Sequence, residues 1–409
     1  MQADQPDNTA AANRSVWRTL LPLAVGTFAI GSDTFIIAGI LPSIGHDLHV
    51  SVAAAGQMVT VFALTYALAA PILAAALSRT PRRTVLLVAL TVFVVANLVS
   101  SVAPTFTVLA ISRVVAALGA GLFTPNAAAA AAMSVPPERR GRALAMVLIG
   151  LNVANVVGVP IGTTIGAYYT WRLSLLLVAV LGLVAIVGVA VWLRALPPPM
   201  AVSLRRRLAV LGNGRVVAVL LAVVAGTVAG YGFYTYLAPE LAHFGGIRQN
   251  QLPLLFLVNG VVGVAGGQLG GRLADRFPVN RVAAVGFITI AATMFLAPLL
   301  GQTYLGAGVL MAFFAITTTI VYVPVQHRLT SLAPTATSEV LALNASALYL
   351  GITLAAVVGG ALLASTSATA IPLACGGFAL LGLVLYGLSQ VPARAAQPSG
   401  HALGEGGAN

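Results

Sequence analysis

The sequence predicts an all-α integral membrane protein whose twelve transmembrane helices form two related six-helix halves. Hydrophobic residues make up 59% of the 409 residues and charged residues only 7%, and the mean hydropathy is +0.98. Apolar stretches of roughly 20 residues recur between short polar connections, which is the length that a helix needs to cross a bilayer. This composition excludes a water-soluble globular protein.

Twelve apolar spans follow one another along the chain, and each can cross a hydrocarbon core of about 30 Å as a helix. The first is too long for the core of a signal peptide and follows a polar segment with Asp4 and Asp7, so we expect no cleavage. The predicted spans are 17–41, 52–77, 84–103, 105–133, 141–166, 172–193, 215–239, 252–271, 281–300, 303–325, 338–364 and 369–389.

The distribution of arginines predicts the orientation of these spans. All 21 basic residues are arginines, and the formal net charge is +12. Arg113 lies inside a span, one set of connections carries only Arg172 and Arg248, and the other set carries the remaining 18. By the positive-inside rule both termini are cytoplasmic, and the charge requires no nucleic-acid partner.

A polar connection after the sixth span divides the chain into two halves that contain a repeat. The segment "AAALSRTPRR" at 74–83 corresponds to "GRLADRFPVN" at 271–280, with an offset of 197 residues. Such a repeat indicates a duplicated six-helix unit. The predicted organisation is a cytoplasmic tail at 1–16, a first half at 17–193, a cytoplasmic central loop at 194–214, a second half at 215–389 and a cytoplasmic tail at 390–409.

The two repeated loops resemble the G-x-L-A-D-R-x-G-R-R signature of the major facilitator superfamily, whose architecture is two six-helix halves. The second copy is the closer match, whereas the first has Ser78 at the acidic position. The resemblance implies a cytoplasmic loop that takes part in gating. For the first copy, anchoring of helix ends by arginines is an equal alternative. The residues are Arg79, Arg82, Arg83, Gly271, Asp275 and Arg276.

The fifth span contains "GLNVANVVGVPIGTTIG" at 150–166. Its glycines recur at intervals of four or eight and leave bare backbone where another helix can approach closely, and its proline introduces a kink. The stretch resembles the fifth-helix signature of proton-coupled exporters in the superfamily, which implies a bendable contact that seals the outer side. Ordinary helix packing is the alternative. The motif residues are Gly150, Gly158, Pro160, Gly162 and Gly166.

The first span carries one carboxylate, Asp33, within "FAIGSDTFIIAGILPSIGHDLHVS". This opening resembles that of a drug:proton antiporter group that includes chloramphenicol, arabinose and purine-nucleoside exporters. "LAISRVVAALGAG" at 109–121 resembles the fourth-helix signature with an intramembrane arginine, here Arg113. Counting at 1.5 Å per residue from the outer ends of the two spans places both side chains about 12 Å deep.

An ionised carboxylate at mid-helix costs about 2.5–3.5 kcal/mol on insertion scales, so Asp33 needs a partner, water or a proton. We expect Asp33 and Arg113 to couple proton binding to the exchange between inward-open and outward-open states. The alternative is a static buried ion pair that only orients two helices.

Polar and aromatic residues within the aliphatic spans are candidates for a substrate cavity near the bilayer midplane between the halves. Their lack of charge favours small neutral or weakly polar compounds. Each could instead cap or cross-link helices. The candidates are Thr34, Asn126, Asn152, Asn155, Tyr231, Tyr234, Asn259 and Asn344.

No catalytic constellation, phosphate-binding loop or nucleotide-binding domain appears in the sequence, so we expect neither an enzyme nor an ATP-driven pump and predict no cofactor. The "HDLH" stretch at 46–49 is expected to face water rather than hold a metal, and Cys375 to be a small core residue. Besides Asp33, the only carboxylate that we expect at membrane depth is Glu339, near an inner helix end.

The resemblance and these residues together predict a monomeric proton-coupled exporter of a small organic compound in a bacterial cytoplasmic membrane. It would work by alternating access and could confer drug resistance. The alternatives are a sugar, nucleoside or amino-acid exporter with a metabolic role, and a membrane sensor or scaffold that has kept the transporter fold. The missing acidic residue at Ser78 favours the last of these.

Overall fold

The computed structural model describes residues 6–77, 79–194, 196 and 209–391. The described part contains twelve helical spans that are long and apolar enough to cross a membrane. Ser78, most of the predicted central loop and nearly all of the predicted C-terminal tail lie outside the described residues.

Seven α-helices build the first six spans. The fifth span consists of two of them, α5 and α6, joined by a π-helical turn at Ala154–Gly158. The helices are α1 Pro6–Asp47, α2 Val52–Ala76, α3 Arg82–Ser101, α4 Phe106–Met133, α5 Arg140–Val153, α6 Val159–Tyr168 and α7 Trp171–Trp192.

Eight α-helices follow in the second half. The seventh span, α8, is followed by a short helix, α9, and the tenth span is divided between α12 and α13. The helices are α8 Gly214–Thr235, α9 Leu237–Gly245, α10 Leu252–Arg276, α11 Val279–Leu300, α12 Tyr304–Ile320, α13 Tyr322–Leu332, α14 Thr337–Ser365 and α15 Ala370–Leu388.

Side-chain caps fix the beginnings of several helices. Thr105 accepts a hydrogen bond from the backbone N–H of Val108 at the start of α4, and Thr303 accepts one from Gly306 at the start of α12. These oxygens satisfy backbone donors that have no partner within the first turn of a helix.

Three spans that the sequence predicts as continuous are interrupted, and a proline lies four residues after each interruption point. A proline removes the N–H that would bond to the carbonyl four residues earlier. Pro160 removes the donor for Val156 in the π-helical turn, Pro239 the donor for Thr235 at the end of α8, and Pro324 the donor for Ile320 at the end of α12. Each of the three interruptions is therefore explained by a missing backbone hydrogen bond. The first span also extends beyond its predicted bounds at both ends, because α1 runs from Pro6 to Asp47.

The connections lie at two ends of the bundle, which we name after one residue each. The His49 end holds the turn between α1 and α2 and the turn between α9 and α10. The Arg140 end holds the turn between α2 and α3 and the start of α5.

The two halves meet where α2 packs against α14, where α10 packs against α6 and the π-helical turn, and where α1 packs against α9. Gln249 donates hydrogen bonds to the Gly39 carbonyl at 3.1 Å and to the Ser43 hydroxyl at 2.7 Å. Gln57 donates to the Ala356 carbonyl at 3.4 Å. These hydrogen bonds tie α1 and α2 of the first half to the second half. They lie in the part of the bundle nearer the His49 end, so the halves are joined at that end.

Candidate functional site

Asp33 and Arg113 form an ion pair inside the first half. Nη1 of Arg113 lies 2.6 Å from Oδ1 of Asp33, and the side chains are 1% and 0% exposed. The two residues lie on α1 and α4, so the structure brings them together as counting along the spans indicates.

The guanidinium of Arg113 has further neighbours that hold it in place. Its carbon lies 4.6 Å from the centroid of the Phe62 ring, and Nη1 is 3.5 Å from Oδ1 of Asn97. Contact with an aromatic face and an amide oxygen stabilises a buried cation. Four helices therefore define the position of this one charge.

The carboxylate of Asp33 is only half satisfied. Its Oδ2 has no hydrogen-bond partner among the described residues, and neither has the hydroxyl of the adjacent Ser32. The next residue, Thr34, lines a small cavity together with Arg113 and Tyr349. Because Tyr349 belongs to the second half, the ion pair lies against the boundary between the halves.

A larger cavity of about 170 Å³ lies between the halves. It holds five of the eight residues predicted for a substrate cavity, and Phe35 of α1 also lines it. The five are Asn152, Asn155, Tyr231, Tyr234 and Asn259.

Aromatic rings and an unpaired amide oxygen define the chemistry of this cavity. Phe35 stacks on Tyr231 with centroids 6.0 Å apart and meets Tyr234 edge-on at 6.2 Å. Oδ1 of Asn259 is buried without a hydrogen-bond partner in the described structure. The lining side chains carry no formal charge, so the cavity presents aromatic faces and a free acceptor.

The other three predicted cavity residues lie elsewhere. Thr34 faces the small cavity beside Arg113 and donates to the Ile30 carbonyl at 2.8 Å. Asn126 accepts a hydrogen bond from Arg82 at 3.4 Å. Asn344 is buried within α14 and lines neither of these two cavities.

The four motif glycines of the fifth span face α1. A Cβ at Gly158 would overlap the hydroxyl of Ser32, and a Cβ at Gly150 would overlap Thr27. Gly162 meets Ile36 and Gly166 meets Ile40 in the same way. Those contacts form a continuous seam of close approach between α1 and the fifth span.

Two further contacts fix this seam. Thr27 donates a hydrogen bond to the Val147 carbonyl at 2.6 Å, which ties α1 to α5. On the opposite side, Gly260 of α10 lies against the backbone of Asn155, where an added Cβ would be 2.6 Å from the carbonyl oxygen. The π-helical turn thus touches α1 of its own half and α10 of the other half.

The predicted loop-gating residues lie at the Arg140 end. Arg82 contacts Asn126, and Arg83 donates to the Ala190 carbonyl at 2.6 Å. Arg79, Asp275 and Arg276 are exposed and Gly271 is partly exposed. Asp275 forms no ion pair within the part of the chain that the structure describes.

Asp47 of the "HDLH" stretch pairs with Arg172 and accepts a hydrogen bond from Trp171 at 3.0 Å. This pair joins the ends of α1 and α7 and is partly exposed, with side-chain exposures of 45% and 31%. It serves as a natural comparison for the fully buried pair.

Sequence reasoning missed several residues that the structure places at the boundary between the halves. Tyr66 and Tyr349 stack with centroids 3.6 Å apart, and Gln249 joins α1 as described above. Glu240 of α9 is completely buried. Its apolar neighbours in "YLAPELAHF" could have indicated burial, because Leu237 and Phe244, three residues before it and four after it, share its helix face.

A twelve-span helical bundle with a cavity between two six-helix halves is the architecture of a membrane transporter. The sequence matches the Major Facilitator Superfamily over residues 23–340, and the chain belongs to that family. It is therefore a multi-pass membrane transporter of small molecules rather than an enzyme.

Individual relatives and solved structures are consistent with this assignment. The chain is 33% identical over 347 residues to the inner membrane transport protein YdhP of Escherichia coli K12, covering 85% of this chain and 89% of the relative. It is 36% identical over 271 residues to a chloramphenicol resistance protein of Streptomyces lividans, covering 64% and 68%. The crystal structure of a D-xylose-proton symporter shares the fold with a TM-score of 0.71 at 17% identity, covering 90% and 96%.

Proposed function

We propose that this protein exports a small neutral or weakly polar organic compound in exchange for protons across a bacterial inner membrane. Asp33 is the proton-carrying residue, Arg113 is its partner, and the cavity lined by Asn155, Tyr231 and Asn259 binds the substrate. The chain works as a monomer with both termini in the cytoplasm. The buried ion pair beside the boundary between the halves is the single observation that carries this proposal.

The ion pair supports proton coupling because its energy depends on hydration and on the position of α4. In the closed arrangement Arg113 compensates the Asp33 charge at 2.6 Å. When water enters or Arg113 moves away, the ionised and neutral forms of Asp33 change in relative energy. A change of conformation can therefore bind a proton on one side of the membrane and release it on the other.

The cavity supports a neutral or weakly polar substrate. Aromatic rings offer stacking faces, and Oδ1 of Asn259 requires a donor from a ligand or water. The relative named as a chloramphenicol resistance protein favours a drug over a metabolite. Sugar, nucleoside and amino-acid export remain the alternatives, together with a sensor that moves no substrate.

The contacts between the halves support alternating access. We assign the His49 end to the outside, because the opposite connections carry most of the arginines. Hydrogen bonds from Gln249 and Gln57 then close the outer side. The fifth span provides the moving contact, because its π-helical turn lies between α1 and α10.

The test is proton movement in proteoliposomes when chloramphenicol is added, with arabinose and a purine nucleoside as probes for the metabolic alternatives. Asp33→Asn keeps the size of the side chain and removes its titrating proton. We expect this variant to bind substrate but to lose at least about tenfold of the substrate-induced proton flux.

Asp47→Asn is the matched control, since it breaks the other aspartate–arginine pair of the described structure, at the surface. We expect it to keep normal flux. Undiminished flux in Asp33→Asn would remove Asp33 from the mechanism. Absence of flux with every probe in the parent protein would instead favour the sensor.

A further inference from the structure

Glu240 is a buried carboxylate that the mechanism above does not use. Its side chain is 0% exposed, and neither Oε1 nor Oε2 has a hydrogen-bond partner among the described residues. Asp33, by contrast, has Arg113, and Glu339 accepts a hydrogen bond from Ser338. A charged carboxylate without any partner is very costly to bury, so Glu240 is held as the neutral acid.

Glu240 has no ion-pair partner in the described part of the chain, and α9 lies between the seventh and eighth membrane spans. Burial raises the pKa of Glu240 well above its usual value. The thiol of Cys375 on α15 is its titratable neighbour.

The elements packed against α9 carry few other titratable groups. On the half of α1 that leads to the His49 end these are Asp33, which is paired with Arg113, and His46 and Asp47, of which Asp47 is paired with Arg172. On the half of α8 next to α9 they are Tyr231 and Tyr234, which face the large cavity.

Glu240 lies one helical turn after the break between α8 and α9, at Tyr236, which takes part in the contact between the halves. Its backbone N–H donates to the carbonyl of Tyr236 at 3.1 Å. Tyr236 has non-helical torsion angles, φ −105° and ψ 19°, and its hydroxyl donates to the Ala356 carbonyl at 2.8 Å. That carbonyl also accepts from Gln57 of the first half, so the break belongs to the closed contact.

The other end of α9 belongs to the same contact. Gln249 follows α9 after a short turn and bonds to Gly39 and Ser43 of α1, and α9 itself packs against α1. Separation of the halves at the His49 end would therefore move α9 away from α1 and let water enter the contact between these two helices.

We propose that Glu240 is a proton-binding site of the outer gate, distinct from Asp33. The proton binds to a carboxylate oxygen of Glu240 from the water that fills the open His49 end. Neutral Glu240 can be buried, so α9 closes on α1. Loss of that proton to water at high pH leaves a carboxylate that must stay hydrated, so the gate remains open. The assignment of this gate to the outside depends on the proposed function, whereas proton-linked closure does not.

The experiment measures the distance across the gate at different pH values. Spin labels at His46→Cys and Asn250→Cys, both exposed and on opposite halves, report it in lipid nanodiscs. The native Cys375 is buried and can be kept. In the otherwise unchanged protein we expect a short distance at pH 5 and a longer-distance population that grows towards pH 9. Glu240→Gln, which resembles the neutral acid, should stay short throughout.

Glu138→Gln is the matched control, because Glu138 is exposed at the Arg140 end, and it should keep the pH dependence of the parent. Glu240→Met also lacks a titrating proton and should stay closed, so it replaces Glu240→Gln if that variant does not fold. An unchanged pH dependence in the Glu240 variants would overturn the proposal. A parent distance that does not respond to pH would overturn it as well.

These results separate the two proposals. If Asp33→Asn loses proton flux while the Glu240 variants behave like the parent, proton-coupled export stands and the gate site does not. If the Glu240 variants stay closed at high pH while Asp33→Asn keeps its flux, the gate site stands and the role of Asp33 does not.

Discussion

Arg113 is the residue on which the buried charge of Asp33 depends, because it is the only ion-pair partner of Asp33 in the described structure. Removing one member of a buried pair leaves an uncompensated charge, which typically costs about 3–5 kcal/mol. We expect Arg113→Ala to lower the free energy of unfolding by that amount. The measurement is denaturant or thermal unfolding of purified protein in detergent.

Arg172→Ala is the control for this prediction, because its pair with Asp47 is partly exposed and exposed pairs contribute at most about 1 kcal/mol. The double variant Arg113→Ala/Asp33→Asn should recover most of the lost stability, since it buries no lone charge. Equal losses for Arg113→Ala and Arg172→Ala would contradict the view that Asp33 is buried with its charge.

The sequence alone was sufficient to pair Asp33 with Arg113, because each lies within an uninterrupted helix where depth follows from counting residues. Glu240 could not be found in this way. The predicted seventh span ends at residue 239 and places Glu240 in a loop, whereas the chain forms α9 from Leu237 to Gly245 and buries Glu240 within it. Burial there depends on tertiary packing between segments that are distant in sequence, such as the packing of α9 against α1.

At the scale of elements, the close contact between α1 and the fifth span predicts that a larger side chain at one of its glycines impairs transport. A side chain at Gly158 would overlap Ser32, next to Asp33. We expect Gly158→Leu to reach the membrane but to lose at least about tenfold of substrate accumulation, because the helices are held apart at their closest approach. Accumulation in membrane vesicles measures it.

Gly141→Leu makes the same change in the same span, but at a position where an added Cβ meets nothing within 4 Å. It should accumulate substrate normally. Pro160→Ala tests the interruption itself, since it restores the missing N–H, and we expect loss of export or of its coupling to protons. Normal accumulation by Gly158→Leu would make the seam ordinary packing.

The glycine stripe predicted a close helix contact, but it could not predict which helix fills it. That partner, α1, contributes Thr27 and Ser32, and neither residue forms a recognisable pattern. The interruptions at Thr235 and Ile320 follow from Pro239 and Pro324, yet a proline in a transmembrane helix often causes only a kink. Tertiary packing decides between a kink and a break.

For the whole molecule, the testable prediction is which side of the membrane each connecting loop faces. The arginine distribution predicts that reporter fusions at Arg140 and Arg206 are cytoplasmic, whereas fusions at Asp47 and Arg248 are external. Compartment-specific reporter enzymes measure this in cells. An external signal at Arg206 would contradict both the orientation and the predicted cytoplasmic central loop.

The count of twelve spans could be predicted because hydrophobic length is a local property of the chain. The contacts that join the halves at the His49 end could not, because they form between residues that are far apart in the sequence. No sequence pattern distinguishes Gln249, Gln57 and Tyr236 from other loop or helix residues. Their roles follow only from the arrangement that is observed.

The π-helical turn has a consequence for the angular phase of the fifth span. Eight residues separate Gly150 from Gly158, and at about 100° per residue a regular α-helix would rotate the two glycines about 80° apart. A π-helical turn takes up one additional residue, so the effective separation is seven residues and the offset falls to about 20°. The irregular turn therefore acts as a phase correction that lets glycines on both sides of it face the same helix.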